Sequence, residues 1–96
     1  MIYLDHNATT PCAPEVVEEM KKWHTDMFFN PSSIYSPSQE VKKAIEDARK
    51  KLADFLDASA EEIIFTSGGT ESNNIAVIGT ALAMKNKGNH IITSSI

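Results

Sequence analysis

Apolar positions along the chain fall into three helix-like stretches and three shorter runs of strand length. Pro14 suits the first turn of a helix, where its missing N–H costs nothing, and Val16, Val17, Met20 and Trp23 follow at helical spacing. Glu15, Glu18 and Glu19 lie near the positive end of that helix's dipole, so the pattern predicts a first helix from Pro14 to about Thr25. The periodicity breaks between Asp26 and Pro37. Asn30-Pro31-Ser32-Ser33 is a turn signal there, because a residue before proline is pushed out of the α region. A second helix is expected with Ser36 as N-cap and Pro37 at the first helical position. Val41, Ala44, Ile45, Ala48, Leu52, Phe55 and Leu56 form its apolar stripe, and Lys42, Lys43, Glu46, Asp47, Arg49, Lys50 and Lys51 cover the other face.

Ile63-Ile64-Phe65-Thr66 is short, β-branched and aromatic, which predicts a strand, and Ser67-Gly68-Gly69 punctuates it. A third helix is expected from about Thr70 to Asn86, with Ile75, Val77, Ile78, Ala81 and Leu82 inward and Gly88 at its C-terminal stop. His90-Ile91-Ile92-Thr93-Ser94 reads as another strand, and Ile2-Tyr3-Leu4 as a short opening one. Strand, glycine turn, helix and strand together predict an α/β unit belonging to a mostly parallel sheet.

Composition narrows the class of protein. Apolar residues are 42% and charged residues 23% of the 96, near globular averages and far from a disordered tail. The net charge of −4 excludes a broad electrostatic footprint for nucleic acid or an anionic membrane surface. The longest nearly apolar stretch, Ile75 to Met84, is too short to span a bilayer, and the opening residues carry no basic region followed by an apolar one. A cytoplasmic location is therefore expected. Cys12 has no second cysteine to pair with, and no Cys/His spacing suggests a zinc site.

The most informative chemistry lies in Phe65-Thr66-Ser67-Gly68-Gly69-Thr70-Glu71-Ser72-Asn73-Asn74. Two glycines, a threonine and a fresh helix N-terminus directly after a strand offer unpaired backbone N–H groups, a positive dipole end and a hydroxyl. A phosphate group needs those donors. On spacing alone a plain strand-to-helix turn capped by Thr70 is the commoner reading, since such turns are frequent. The run is neither a nucleotide P-loop, lacking Gly-Lys-Ser/Thr, nor the G-x-G-x-x-G dinucleotide pattern, so an anion bound there would be a small monophosphate. Asp5-His6-Asn7-Ala8-Thr9-Thr10 is a dense polar run that serves equally as a pocket lining or a solvated connection. His6, His24 and His90 have no ligand partner at helical spacing, and Trp23 reads as a packing residue.

Three segments carry a resemblance. Tyr3-Leu4-Asp5-His6-Asn7-Ala8-Thr9-Thr10-Pro11 resembles the start of the cysteine desulfurases, the pyridoxal 5′-phosphate (PLP) enzymes that take sulfur from L-cysteine. Asn30-Pro31-Ser32-Ser33 with the helix ending in Ala48-Arg49 is similar to the family's next signature. Ile64 to Asn74 is the most specific of the three, and all occur in the family's order over nearly the whole chain. The chain departs from the family at Gly69, where alanine is frequent, at Phe29, where glycine is common, and at Tyr35, where histidine is common.

The resemblance implies an α/β fold, the N-terminal portion of the aspartate-aminotransferase type of PLP-dependent transferase, built as a homodimer. Residues 1–60 would supply N-terminal helices and polar loops, and 61–96 the start of the large PLP-binding domain. The pair Gly69 and Thr70 would hold the PLP phosphate through backbone N–H and hydroxyl, and the run from Asn7 to Thr10 would lie toward the substrate. The implied activity converts L-cysteine to L-alanine and leaves an enzyme persulfide, which a sulfur-acceptor scaffold takes for iron–sulfur clusters or tRNA thiolation. The family's cofactor-holding lysine, persulfide cysteine, ring-stacking histidine and pyridine-nitrogen aspartate fall beyond Ile96, and neither Cys12 nor His90 matches them. No catalytic residue is assigned within the segment, and its activity by itself stays open. A related PLP lyase such as a selenocysteine lyase, or an inactive truncated fragment, are the alternatives. In this fold the two strands flanking the third helix are separated by strands from later sequence, so sheet edges and apolar helix faces are expected to lie uncovered in the segment alone.

Overall fold

The computed structural model describes residues 1–95. The backbone gathers into two compact units, Met1–Ala60 and the residues from Glu61 onward. The expected division at 61–96 ends on Ile96, which lies outside the described residues.

In the first unit, α1 spans Pro14–Thr25. Ala13 caps it with extended backbone and no side-chain bond, so its carbonyl takes the first helical hydrogen bonds, from the N–H groups of Val16 and Val17, each at 3.0 Å. At the other end, the Lys22 carbonyl accepts from Asp26 at 3.0 Å and Met27 at 2.8 Å, which closes the last turn. Glu18 pairs with Lys21 and Glu19 with Lys22 along the solvated face. Such exposed pairs add little stability but suit a helix that keeps one face wet.

The chain then turns at Asn30. Ser33 N–H donates to the Asn30 carbonyl at 3.0 Å, and Ser32 N–H to Asn30 Oδ1 at 2.9 Å, an Asx turn that presets the bend. Gln39 Nε2 reaches back to the Ser33 carbonyl at 2.7 Å and ties this loop to the next helix.

That helix, α2, spans Ser36–Leu56. It starts one residue earlier than expected: Tyr35, not Ser36, is the N-cap, and Pro37 takes the second helical position. The shift is free because no N–H in the first turn has an intrahelical acceptor. The buried face also departs from the expected stripe. Val41 is buried and Ala44 and Ile45 half-buried, but Ala48 is exposed, Phe55 is 85% exposed and Leu56 60%. Ala53 and Ser38, outside the stripe, are the other fully covered side chains of α2. The chain reverses sharply at Asp57, in the left-handed region at φ 52°, and the Ala53 carbonyl accepts from both Asp57 and Ala58.

A 3₁₀ turn at Ala60–Glu62 spans the boundary between the two units. A helical run follows, made of α3 (Gly69–Asn74), a π-helical turn (Ile75–Gly79) and α4 (Thr80–Met84). It begins at Gly69 rather than Thr70 and stops at Met84, short of Asn86, and the Met84 carbonyl accepts from Lys87 N–H at 2.7 Å and Gly88 N–H at 3.2 Å in the closing turn. Ile75, Val77, Ile78 and Leu82, expected inward, stay exposed, and Ala81 is half-buried.

No strand forms among the described residues, so the sheet half of the α/β expectation is absent from 2–4, 63–66 and 90–94. The physical reason is that a helix closes its hydrogen bonds within itself, whereas a strand exists only beside a partner in register. The apolar faces that a sheet would cover are open for the same reason. No helix among the described residues is long and apolar enough to cross a membrane.

The left-handed Asp57 gives a stability test. Asp57 is exposed, so substitution there changes backbone strain rather than packing. Asp57→Val is expected to destabilise the protein by about 1–2 kcal/mol and Asp57→Gly to leave it unchanged or slightly stabilised, read by urea unfolding. Equal effects of the two would show that the left-handed cap does not matter.

Candidate functional site

The glycine turn between residues 66 and 72 is where polar groups converge. Its helix begins at Gly69, with Gly68 as N-cap and no side-chain cap bond. Ser72 N–H makes the first helical bond, to the Gly68 carbonyl at 3.1 Å. Helix geometry therefore leaves the N–H groups of Gly69, Thr70 and Glu71 without an i−4 acceptor, at the end where the dipole is positive. The Thr70 hydroxyl has no hydrogen-bond partner among the described residues and is exposed. A Cβ built on either Gly68 or Gly69 would meet nothing within 4 Å, so the space before the turn is open to a ligand.

Side chains just outside those donors hold the turn. Glu71 Oε2 accepts from Ser67 N–H and from Ser67 Oγ, each at 2.7 Å. Thr66 Oγ1 lies 2.6 Å from Ser72 Oγ, and these two hydroxyls reach the Gly68 carbonyl at 3.2 and 3.3 Å. The Ser67 N–H and then the Ser67 hydroxyl hold the Glu71 carboxyl below its ordinary value, against a smaller opposing effect of desolvation. Thr66, Ser67, Glu71 and Ser72 were not singled out by sequence. The usual capping-box signal places an acidic residue three after the capping Ser or Thr, whereas here Ser67 stands one residue before the Gly68 cap, and Glu71 is four residues after Ser67.

The polar run Asp5 to Thr10 forms a separate turn in the first unit. The Asp5 carbonyl accepts from Ala8 at 3.0 Å, Thr9 at 3.4 Å and the Tyr3 hydroxyl at 2.8 Å. The Tyr3 ring meets His6 edge-on, with centroids 5.1 Å apart. The loop is thus organised by its own backbone, and His6 is an aromatic neighbour of Tyr3. His24 lies in the last turn of α1. His90 lines an apolar cavity with Ala81, Leu82, Met84 and Ile91. Cys12 is free and exposed. Among the described residues no group of His, Cys, Asp and Glu is placed to hold a metal ion.

Known proteins were then compared with the chain. The aminotransferase class-V family model matches residues 2–96. The chain is 57% identical over 95 residues to a cysteine desulfurase IscS of Methanosarcina thermophila, covering 99% of this chain and 24% of the relative. It is 54% identical over 95 residues to a cysteine desulfurase IscS of Dictyoglomus turgidum, again 99% of this chain and 24% of the relative. It is 50% identical over 94 residues to a mitochondrial cysteine desulfurase of Eremothecium gossypii, covering 97% of this chain and 19% of the relative. The chain thus spans about a quarter of the length of the first two relatives. No solved structure matches it.

The clamp has a pH signature. Because the folded state lowers the Glu71 carboxyl, the stability it contributes is present above the unfolded value and is lost as pH falls through the lower, folded one. The Ser67 amide proton is expected to titrate with Glu71, with a midpoint below the ordinary glutamate range, in an NMR pH series. A Ser67 amide resonance that stays flat through that range would show that the bond is not formed.

Proposed function

The chain belongs to the aminotransferase class-V family, and we propose that residues 1–96 are the N-terminal segment of a PLP-dependent cysteine desulfurase. The single observation that carries this beyond the family is the donor set of the glycine turn. That set is the three first-turn amides of Gly69, Thr70 and Glu71, which lack an i−4 acceptor, with the exposed Thr70 hydroxyl beside them, and a Cβ on Gly69 would meet nothing within 4 Å. Phosphate oxygens are acceptors only, so a set made of donors with a positive dipole behind it fits the PLP phosphate. The curated relatives named as cysteine desulfurases, at 50–57% identity, support the choice of reaction within the family.

When bound, PLP supplies an electron sink that weakens bonds at the substrate Cα. The work of this chain's own residues is to fix where that group sits. Gly69 would donate its N–H to a phosphate oxygen and, having no side chain, would let the phosphate come close to the backbone. Thr70 adds its N–H and hydroxyl to the same group. Asn7 to Thr10 lie toward the substrate side in this reading. The whole protein would convert L-cysteine to L-alanine, with the sulfur left as a persulfide on an enzyme cysteine and then passed to an acceptor scaffold.

The same reading supplies the sheet that the segment lacks. Ile63–Thr66 and His90–Ser94 become strands once strands from elsewhere in the transferase fold flank them, which gives the α/β architecture. Residues 1–60 supply the N-terminal helices and loops, and 61–96 the start of the PLP-binding domain, in a cytoplasmic homodimer.

The test is a substitution in the holoenzyme that contains this segment. Thr70→Val keeps the side-chain shape and removes the hydroxyl, so PLP is expected to dissociate about tenfold faster, the cost of one hydrogen bond to a charged group. The loss is followed by PLP absorbance during dialysis. Unchanged retention would overturn the assignment of Thr70.

A further inference from the structure

The turn that presents Gly69 and Thr70 contains two adjacent glycines, and glycine restrains its own backbone least. No neighbouring atom walls them in either, since a Cβ on Gly68 or Gly69 would find nothing within 4 Å. Packing therefore does not aim the Gly69 and Thr70 amides. What spans the glycines is a pair of hydrogen-bonded closures. Glu71 Oε2 to Ser67 N–H and Oγ, both 2.7 Å, bridges from the residue before the glycines to the residue after Thr70. The Thr66 and Ser72 hydroxyls, 2.6 Å apart, close a wider ring around the same atoms.

The Glu71 closure also decides which amides remain. It occupies the Ser67 N–H, so that donor is spoken for and the open ones are those of the helix's first turn. We infer that Glu71 is a positioning residue of the PLP site: by bridging Ser67 across the two glycines, its carboxylate fixes the Gly69 and Thr70 N–H groups on the cofactor phosphate, an inference that rests on the PLP reading above. The Glu71 side chain touches neither the cofactor nor the substrate in this role. It acts through an oxygen that accepts from two neutral donors on Ser67, a geometry an uncharged amide oxygen can also adopt.

That distinction sets the experiment. The apo form of the enzyme containing this segment is titrated with PLP and, separately, with pyridoxal, which lacks the phosphate. Glu71→Ala removes the acceptor and is expected to weaken PLP binding about tenfold while leaving pyridoxal binding unchanged. Glu71→Gln keeps an amide oxygen that accepts from both Ser67 groups, and is expected to restore PLP binding to within about threefold of the parent. Equal weakening toward PLP and pyridoxal in Glu71→Ala would mean general unfolding of the site and would overturn the inference. So would PLP binding unaffected by Glu71→Ala, or a Glu71→Gln protein as weak as Glu71→Ala. The Thr70→Val protein run beside them separates the two levels. If Thr70→Val weakens PLP binding and Glu71→Ala does not, only the role of Glu71 falls. If Thr70→Val has no effect, the phosphate assignment falls with it.

Discussion

Every backbone N–H and C=O taken from water needs a partner, and the distance along the chain to that partner governs what these residues form. Helices find it four residues away. Accordingly α1, α2 and the run from Gly69 to Met84 are complete, down to the double acceptance by Lys22, Ala53 and Met84 carbonyls at their ends. Ile63–Thr66 and His90–Ser94 would need a neighbouring strand in register to form a ladder, and no strand forms among the described residues. The same constraint explains the apolar exposure. Leu4 at 88%, Phe55 at 85% and Ile92 at 87% exposed are apolar side chains that nothing among the described residues covers.

This division between local and distant pairing also sorts what could be read from the residues. Pro14 and the spacing of Val16 to Trp23 placed α1 at Pro14–Thr25, because position, cap and acceptor all lie within one short stretch. The burial pattern of α2 was less legible. Periodicity assigned Leu52, Phe55 and Leu56 to the covered face, yet Ala53 is the covered residue near that end. A stripe shows which face is apolar, while burial depends on what packs against it, and a helix pattern carries no information about that neighbour.

The helix start at the glycine turn was legible for a physical reason that the expected strands lack. Gly68, Gly69 and Thr70 are sequence neighbours, and the donors they offer follow from where a helix starts. The residues that hold those donors in place were missed. Glu71 and Ser67 were part of the quoted run but carried no assigned role, since their spacing falls outside the standard capping box by one residue. The bond geometry, not the residue types, identifies them.

On the proposed reading, a phosphate site built this way has a consequence for how the fold is organised. Its donors and the clamp that aims them all lie within Thr66–Ser72, so the site's geometry is set by seven consecutive residues rather than by the sheet. On the proposed reading the sheet's contribution would be to carry the turn to the place where substrate groups meet it, by fixing Ile63–Thr66 in register. Binding the phosphate and delivering it to the chemistry would then be separate tasks, the first resting on a helix start with two glycines and the second on other parts of the fold.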